Sequence, residues 1–424
     1  MPEKKFGRFL IVWIGQIISN IGSGLTAFSL GIYAFQKTQS ALCYSLIILL
    51  AFLPSFLLKP IGGTLADRVN RKLLMITGDF GSALGLVFIL IMMYSGTDDM
   101  WVIYAGVSFS SVFIAVHEPA YRAMITDLLD EKFYSKAGGL MQLSESSRFL
   151  ISPIVAALLL TFMDVKNILM IDIASFAVAI AFVFLIKGNF GKSKSDIERK
   201  GFFIDLKEGF NYITSNKGIL WLLFLSSVIT FAIGFLEPLL GPMILSFSDS
   251  KALGIILTTS SSGMLLMSIY ISVFGKLKKF LNILFYFMIL CGIFYTLLGV
   301  STNEVFLMFA GFLFFCTLPF INTSFDVLIR KNVDNEIQGR VWAMVSLVSQ
   351  FGMVIAYSIS GLLADYVFNP LLNDGGILVS TVGKIIGSGR GRGIGLMFVL
   401  FGFVVSAMGV VIKRVKILKS LEKE

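Results

Sequence analysis

The chain has 424 residues, 56% of them hydrophobic and only 14% charged, with a formal net charge of +9 and a mean hydropathy of +0.86. That mix excludes an ordinary soluble domain. Apolar runs of about 20 residues, the length a helix needs to cross the hydrocarbon layer of a bilayer, recur from one end to the other.

The runs do not alternate apolar and polar as the strands of a lipid-facing barrel would, so helices are the remaining way to satisfy the backbone in lipid. Six spans are predicted in the first half, over 9–33, 41–65, 73–95, 100–121, 138–161 and 166–187. Six more follow, over 218–246, 251–275, 280–299, 303–328, 339–366 and 394–413. With twelve spans both ends lie on one side. Of the 35 Lys and Arg residues, 27 fall in the loops and ends of that side, six on the other, and Lys59 and Arg148 lie within spans. The positive-inside rule therefore predicts cytoplasmic termini in a cell (inner) membrane, and the same excess attracts anionic headgroups. Nucleic acid is not an expected partner, because no soluble basic module is present. The first span is too long for the apolar core of a leader and lacks an A-x-A site, so it is expected to stay in the membrane.

In the first span Gln16 and Asn20 lie four residues apart and face one way, able to hydrogen-bond either a substrate or another helix. After the second span comes "GGTLADRVNRKLL", Gly62–Leu74, with Asp67, Arg68, Arg71 and Lys72 packed into six residues. A carboxylate is favoured at a helix N-terminus, and Asp67 and Arg71 are i, i+4 neighbours if the turn is helical. Contacts of this kind, made in one conformation and broken in another, form a reversible latch.

Ionisable groups inside spans cost about 2.5–3.5 kcal/mol each on insertion scales and are functional candidates. Here they are Lys59, Asp79, His117, Glu118, Glu145, Arg148, Asp172, Glu237 and Asp326. Glu118, beside the single histidine, is read as a proton relay or as a residue at the inner end facing water. Glu145 and Arg148, three apart in the fifth span, are read as an ion pair, with Glu145 a candidate proton carrier. In the same span Ser152 and Pro153 open "SPIVAA", where the proline removes a backbone bond and kinks the helix. Residues 188–217 form a polar linker. Its later part, with Phe203, Leu206, Phe210 and Ile213 at helical spacing, predicts an amphipathic helix on the inner membrane surface. In the seventh span "FLEPLLGP" places Glu237 before Pro238, where regular hydrogen bonding is expected to break. Glu237 is the candidate for binding a proton or a cationic substrate.

Cys43, Cys291 and Cys316 all fall within apolar runs and read as packing residues, and no metal framework is expected. The run "GSGRGRGIG", Gly387–Gly395, follows no strand and reads as a flexible outer loop rather than a phosphate cradle. The linker divides the chain into two six-span halves, 1–187 and 218–424. Sliding residues 121–160 by 204 positions sets a charged loop and a span on a charged loop and a span, with Asp130 on Asp334. Only six of those forty positions are identical, so the order of features carries the repeat. Parallel six-span repeats are a transporter plan, with substrate between the halves near mid-membrane.

"GGTLADRVNRK" resembles the loop signature G-x-L-A-D-R-x-G-R-K of the major facilitator superfamily. Gly63, Leu65, Ala66, Asp67, Arg68, Arg71 and Lys72 match, and Asn70 replaces a Gly; Asn tolerates the left-handed backbone a tight turn would need. Residues His117–Leu160 resemble the fourth-to-fifth helix region of the drug-efflux branch that includes macrolide-efflux proteins, with Ser152–Ala157 in the place of its G-P-x-x-G-G signature. Three of those glycines are Ser152, Ala156 and Ala157 here, and Arg148 stands where an upstream Gly is usual. The resemblance implies an all-α fold of twelve helices in two pseudo-symmetric bundles. It also implies that Asp67 faces the start of helix eleven, near Gly339 and Arg340, when the inner gate is shut. Helices three and six then stand outside the cavity, which makes Asp79 and Asp172 structural.

The expectation is a monomeric secondary transporter without cofactor or enzymatic activity, exchanging hydrophobic or amphipathic molecules for protons by alternating access. The alternatives are export of a siderophore or peptide, uptake of a metabolite, or a membrane sensor or intramembrane enzyme. No Walker sequence is present to couple ATP, and a lone histidine without clustered partners disfavours an enzyme.

Overall fold

The computed structural model describes residues 2–130, 133–186, 202–275, 277–334 and 337–422, and these contain helices and no strand. The chain divides into two compact units, Met1–Asp196 and Ile197–Glu424.

The first unit is built from α1 (Pro2–Thr38), α2 (Ala41–Arg68), α3 (Arg71–Tyr94), α4 (Met100–Leu128), α5 (Tyr134–Leu150), α6 (Ser152–Leu159) and α7 (Val165–Leu185). Two apolar clusters hold its two ends. One gathers Phe9, Val12, Leu74, Met75, Met124, Leu128 and Val183. The other gathers Leu30, Ala34, Leu86, Ile89, Ile103, Leu169 and Phe176. The buried residues of the unit also include polar ones: Gln16, Ser19 and Thr26 on α1, Asp79 and Ser82 on α3, Ser110 and Ser111 on α4, Ser144 and Ser147 on α5, and Asp172 and Ser175 on α7. Buried polar groups are what a membrane domain shows where it handles water-soluble groups, since lipid itself gives such groups no partner.

The second unit contains α8 (Phe202–Ser215), α9 (Lys217–Leu245), α10 (Ser250–Phe274), α11 (Phe280–Val300), α12 (Glu304–Asn332), α13 (Gln338–Leu363) and, after a π-helical turn (Ala364–Phe368), the short α14 (Asn369–Leu372) and α15 (Gly383–Ile386). It closes with α16 (Arg392–Arg414) and α17 (Lys416–Lys419). Its centre is aromatic. Tyr295, fully buried, donates its O–H to Ala232 O at 2.8 Å and meets Phe314 and Phe398 edge-on. Bare backbone brings α11 and α16 together: a Cβ on Gly299 would lie 2.1 Å from Gly395 O.

Eleven of the described helices are long and apolar enough to cross a membrane. The expected fifth span, 138–161, is not a single helix. It is divided at Ile151 into α5 of 17 residues and α6 of eight. Pro153 has no N–H to return to Phe149 O, and Ser152 turns its hydroxyl to Ile21 O at 3.0 Å, bonding across to α1.

Candidate functional site

The charged stretch is a junction between two helices, not one helical turn. Helix α2 ends at Arg68, Val69 is extended, and Asn70 (φ −59°) caps α3 by accepting hydrogen bonds from Lys72 N and Leu73 N. Asn70 therefore acts as an N-cap, one of the residues favoured there, and the left-handed turn expected of it does not form. Asp67 and Arg71 therefore belong to different helices. The Asp67 side chain lies outside the described residues. Arg71 is buried, donating through Nη1 to Asp127 Oδ1 at 2.6 Å and Ala123 O at 2.9 Å, and through Nε to Ala66 O at 3.3 Å. It thereby ties the end of α2 and the start of α3 to the end of α4. Arg68 is exposed. The two glycines differ: a Cβ on Gly62 would collide with Ala115 O, whereas Gly63 has nothing within 4 Å of that position.

Three candidate residues, Lys59, Glu118 and Glu145, meet in one part-exposed cluster of the first unit. Glu118 on α4 is held by Lys59 Nζ from α2 at 3.0 Å and by Arg122 Nε at 3.1 Å. Arg122 also reaches Glu145 Oε1 on α5 at 2.7 Å. Glu145 thus pairs across to α4, and the expected pair with Arg148 one turn along α5 is replaced, because Arg122 approaches from the facing helix. Arg148 instead packs its stem against Gly24 of α1. The four groups, two acids and two bases, are a third to a half exposed and sum to zero charge.

The polar face of α1 is spent mainly on helix contacts. Asn20 Nδ2 donates to Ser144 Oγ at 2.8 Å. Gln16 is buried beside the carboxylate of Asp79 on α3, although its Nε2 has no acceptor in hydrogen-bond geometry. His117 on α4 places Nε2 at 3.3 Å from Asp79 Oδ1. Asp172 on α7 accepts from Ser175 Oγ at 3.2 Å and Ser23 Oγ at 3.5 Å.

In the second unit α9 runs without interruption through Pro238 and Pro242, so the break expected at Pro238 is absent. The proline removes one donor, the one Gly234 O would take, and flanking turns keep the helix regular. Glu237 is exposed amid buried neighbours, and its Oε2 accepts a hydrogen bond from the O–H of buried Tyr357 on α13. Asp326 is a surface residue paired with Arg330 at 2.8 Å. In α8 the side chains of Phe203 and Leu206 lie outside the described residues. Ile213 is buried but Phe210 is exposed, and the Glu208–Arg340 ion pair docks the helix on the start of α13. The expected apolar face therefore divides between the protein interior and the outside.

Sequence reasoning missed Asp127 and Tyr357. Asp127 had a signal, since it is an acid closing a span beside a cluster of bases. Tyr357 had none, since 120 residues separate it from Glu237.

The family profile described as Major Facilitator Superfamily matches residues 12–357. Macrolide efflux protein A of Streptococcus pyogenes is 27% identical over 364 residues, 84% of this chain and 89% of that protein. Macrolide efflux protein A of Enterococcus faecalis is 26% identical over 313 residues, 72% of this chain and 96% of that protein. Among solved structures, the nucleoside transporter NupG superposes with a TM-score of 0.73 at 14% identity, covering 96% of this chain and all of that one. At that identity the likeness is one of fold.

Proposed function

From the premise that the chain belongs to the Major Facilitator Superfamily, and is thus a multi-pass membrane transport protein for small molecules, we propose that it exports macrolide-like hydrophobic or amphipathic compounds in exchange for protons. The observation that carries the substrate class is the likeness to two macrolide efflux proteins over 84% and 72% of this chain. The proposal includes alternating access by a monomer in the cell (inner) membrane, with both termini cytoplasmic. Gly63, Asp67, Arg68 and Arg71 form its gating motif. Glu237 binds the proton or the cationic group of the substrate, and Glu145 and Glu118 are the further acids able to relay a proton. Gln16 and Asn20 are the candidates for hydrogen-bonding the substrate, Asn20 being bonded also to Ser144 of α5, and the Ser152–Pro153 break lets α6 change its angle to α5.

Everted vesicles containing the protein test this. Addition of erythromycin should release protons, and Glu237→Gln should reduce that flux about 10-fold or more, the scale of a lost proton-transfer group. Asp67→Asn should slow turnover while membrane insertion stays normal. Absence of a macrolide-dependent proton flux that Glu237→Gln or Glu145→Gln abolishes ends the exchange reading.

A further inference from the structure

The transport reading leaves unused a second titratable pair, deeper than the Glu118–Glu145 cluster. Asp79 sits about a third of the way along α3, only 3% exposed, between the α3 members of the two apolar clusters, Met75 and Leu86. His117 comes to it from α4, with Nε2 at 3.3 Å from Oδ1, within ion-pair reach although Nε2 is buried and makes no hydrogen bond. That approach depends on Gly78, where a Cβ would lie 2.6 Å from the His117 Cβ. The second oxygen, Oδ2, is buried with no donor. The groups facing the carboxylate are few. α1 contributes the neutral Gln16 and α4 contributes His117. Among the described residues neither α2 nor α7 brings a charge within ion-pair reach, since Lys59 of α2 is held by Glu118. Facing His117 in turn is Tyr121, its ring 6.2 Å away and its buried O–H without a partner. Arg122 and Glu145 lie beyond, at the surface of the unit.

A pair that existed only to clip α3 to α4 would gain by satisfying both carboxylate oxygens, since a half-satisfied buried polar group is destabilising. An imidazole and a carboxylate in contact, with no fixed cation nearby, instead have charges that depend on how many protons they share. His117 is the more exposed of the two, at 14% for its side chain, and gives the buried acid an edge open to exchange.

We propose that Asp79 and His117 form a proton-binding site of the transport cycle, which takes up one proton between Oδ1 and Nε2 and later releases it to water through the exposed edge of His117. The proton comes from water and returns to water. The loaded pair is neutral overall, and the unloaded pair is a carboxylate beside a neutral imidazole. This deepens the proton-exchange reading above and rests on it.

Two measurements on the full-length protein test the site. The first needs no substrate: infrared difference titration of the purified protein in lipid nanodiscs. Asp79→Asn should remove the carboxyl band of one buried acid. His117→Gln should move that band's midpoint by about one pH unit or more, the size of effect an adjacent charge produces. A spectrum unchanged in both variants overturns the site. The second measures erythromycin in everted vesicles. Accumulation driven by an imposed pH gradient should fall about 10-fold or more further than substrate counterflow does in the same variant. Equal losses in both assays, for Asp79→Asn and for the milder His117→Gln, mark a structural clip and overturn the proposal. If wild-type protein moves no erythromycin at all, the macrolide reading fails, and the infrared titration still decides the proton site.

Discussion

Arg71 shows how a charge written on a signature is used by the fold. The guanidinium is buried, and its charge is balanced by Asp127 at the end of a neighbouring helix, with two carbonyls completing the set. Removing the acid leaves the cation with neutral acceptors only. Asp127→Asn is expected to lower stability by about 1.5–3 kcal/mol, the range for hydrogen bonds to charged groups, and thermal unfolding in detergent reads it. Asp98 behaves differently, because it lies in the exposed turn between α3 and α4. Its carboxyl is held below the usual carboxylate range, first by the hydrogen bond from Lys37 and then by the one from Tyr33. A depressed folded-state value means the contribution is present above the ordinary carboxylate range and is lost as pH falls through the lowered one. Asp98→Asn should therefore lower the unfolding temperature slightly at neutral pH, and the difference from wild type should close as pH falls through the acid limb.

At the scale of helices, close approach is set by missing side chains. Gly299 of α11 and Gly395 of α16 face each other so tightly that a methyl on the first would overlap the carbonyl of the second. Gly299→Ala should force the helices apart and cost about 1–3 kcal/mol, as overpacking does. Gly63 gives the contrast. It belongs to the signature yet has open space around it, so Gly63→Ala should stay within about 0.5 kcal/mol of wild type, as surface changes do. If transport slows in Gly63→Ala while the unfolding temperature holds, the glycine serves movement rather than packing. The break between α5 and α6 was half legible. Pro153 announced a kink, but the full separation at Ile151 also needed Ile21 O on α1 to receive the Ser152 hydroxyl.

For the molecule as a whole, the sidedness proposed from Lys and Arg is testable by labelling. Cysteines introduced singly at Ser95 and Ser388 should react with an impermeant maleimide from outside intact cells. One at Ser420 should react only after the membrane is opened. The three native cysteines lie within long helices, two of them part-buried and Cys291 buried, so the background should be low. Reversed labelling would invert the topology and with it the direction of transport.

The sequence alone determined the all-helical membrane class and the family, because lipid leaves a chain of this hydropathy few options and because the Gly62–Leu74 stretch keeps seven signature positions. It also marked which spans carry charge. Only the tertiary structure decided the partners. Glu145 with Arg122, Arg71 with Asp127, Glu237 with Tyr357 and Asp79 with His117 each join different helices. Helical periodicity predicts neighbours three or four residues apart on one helix, but it carries no information about which residue of another helix will stand opposite. In an apolar interior a buried charge takes whichever group reaches it across the packed interface, and that choice is made by the packing of the helices.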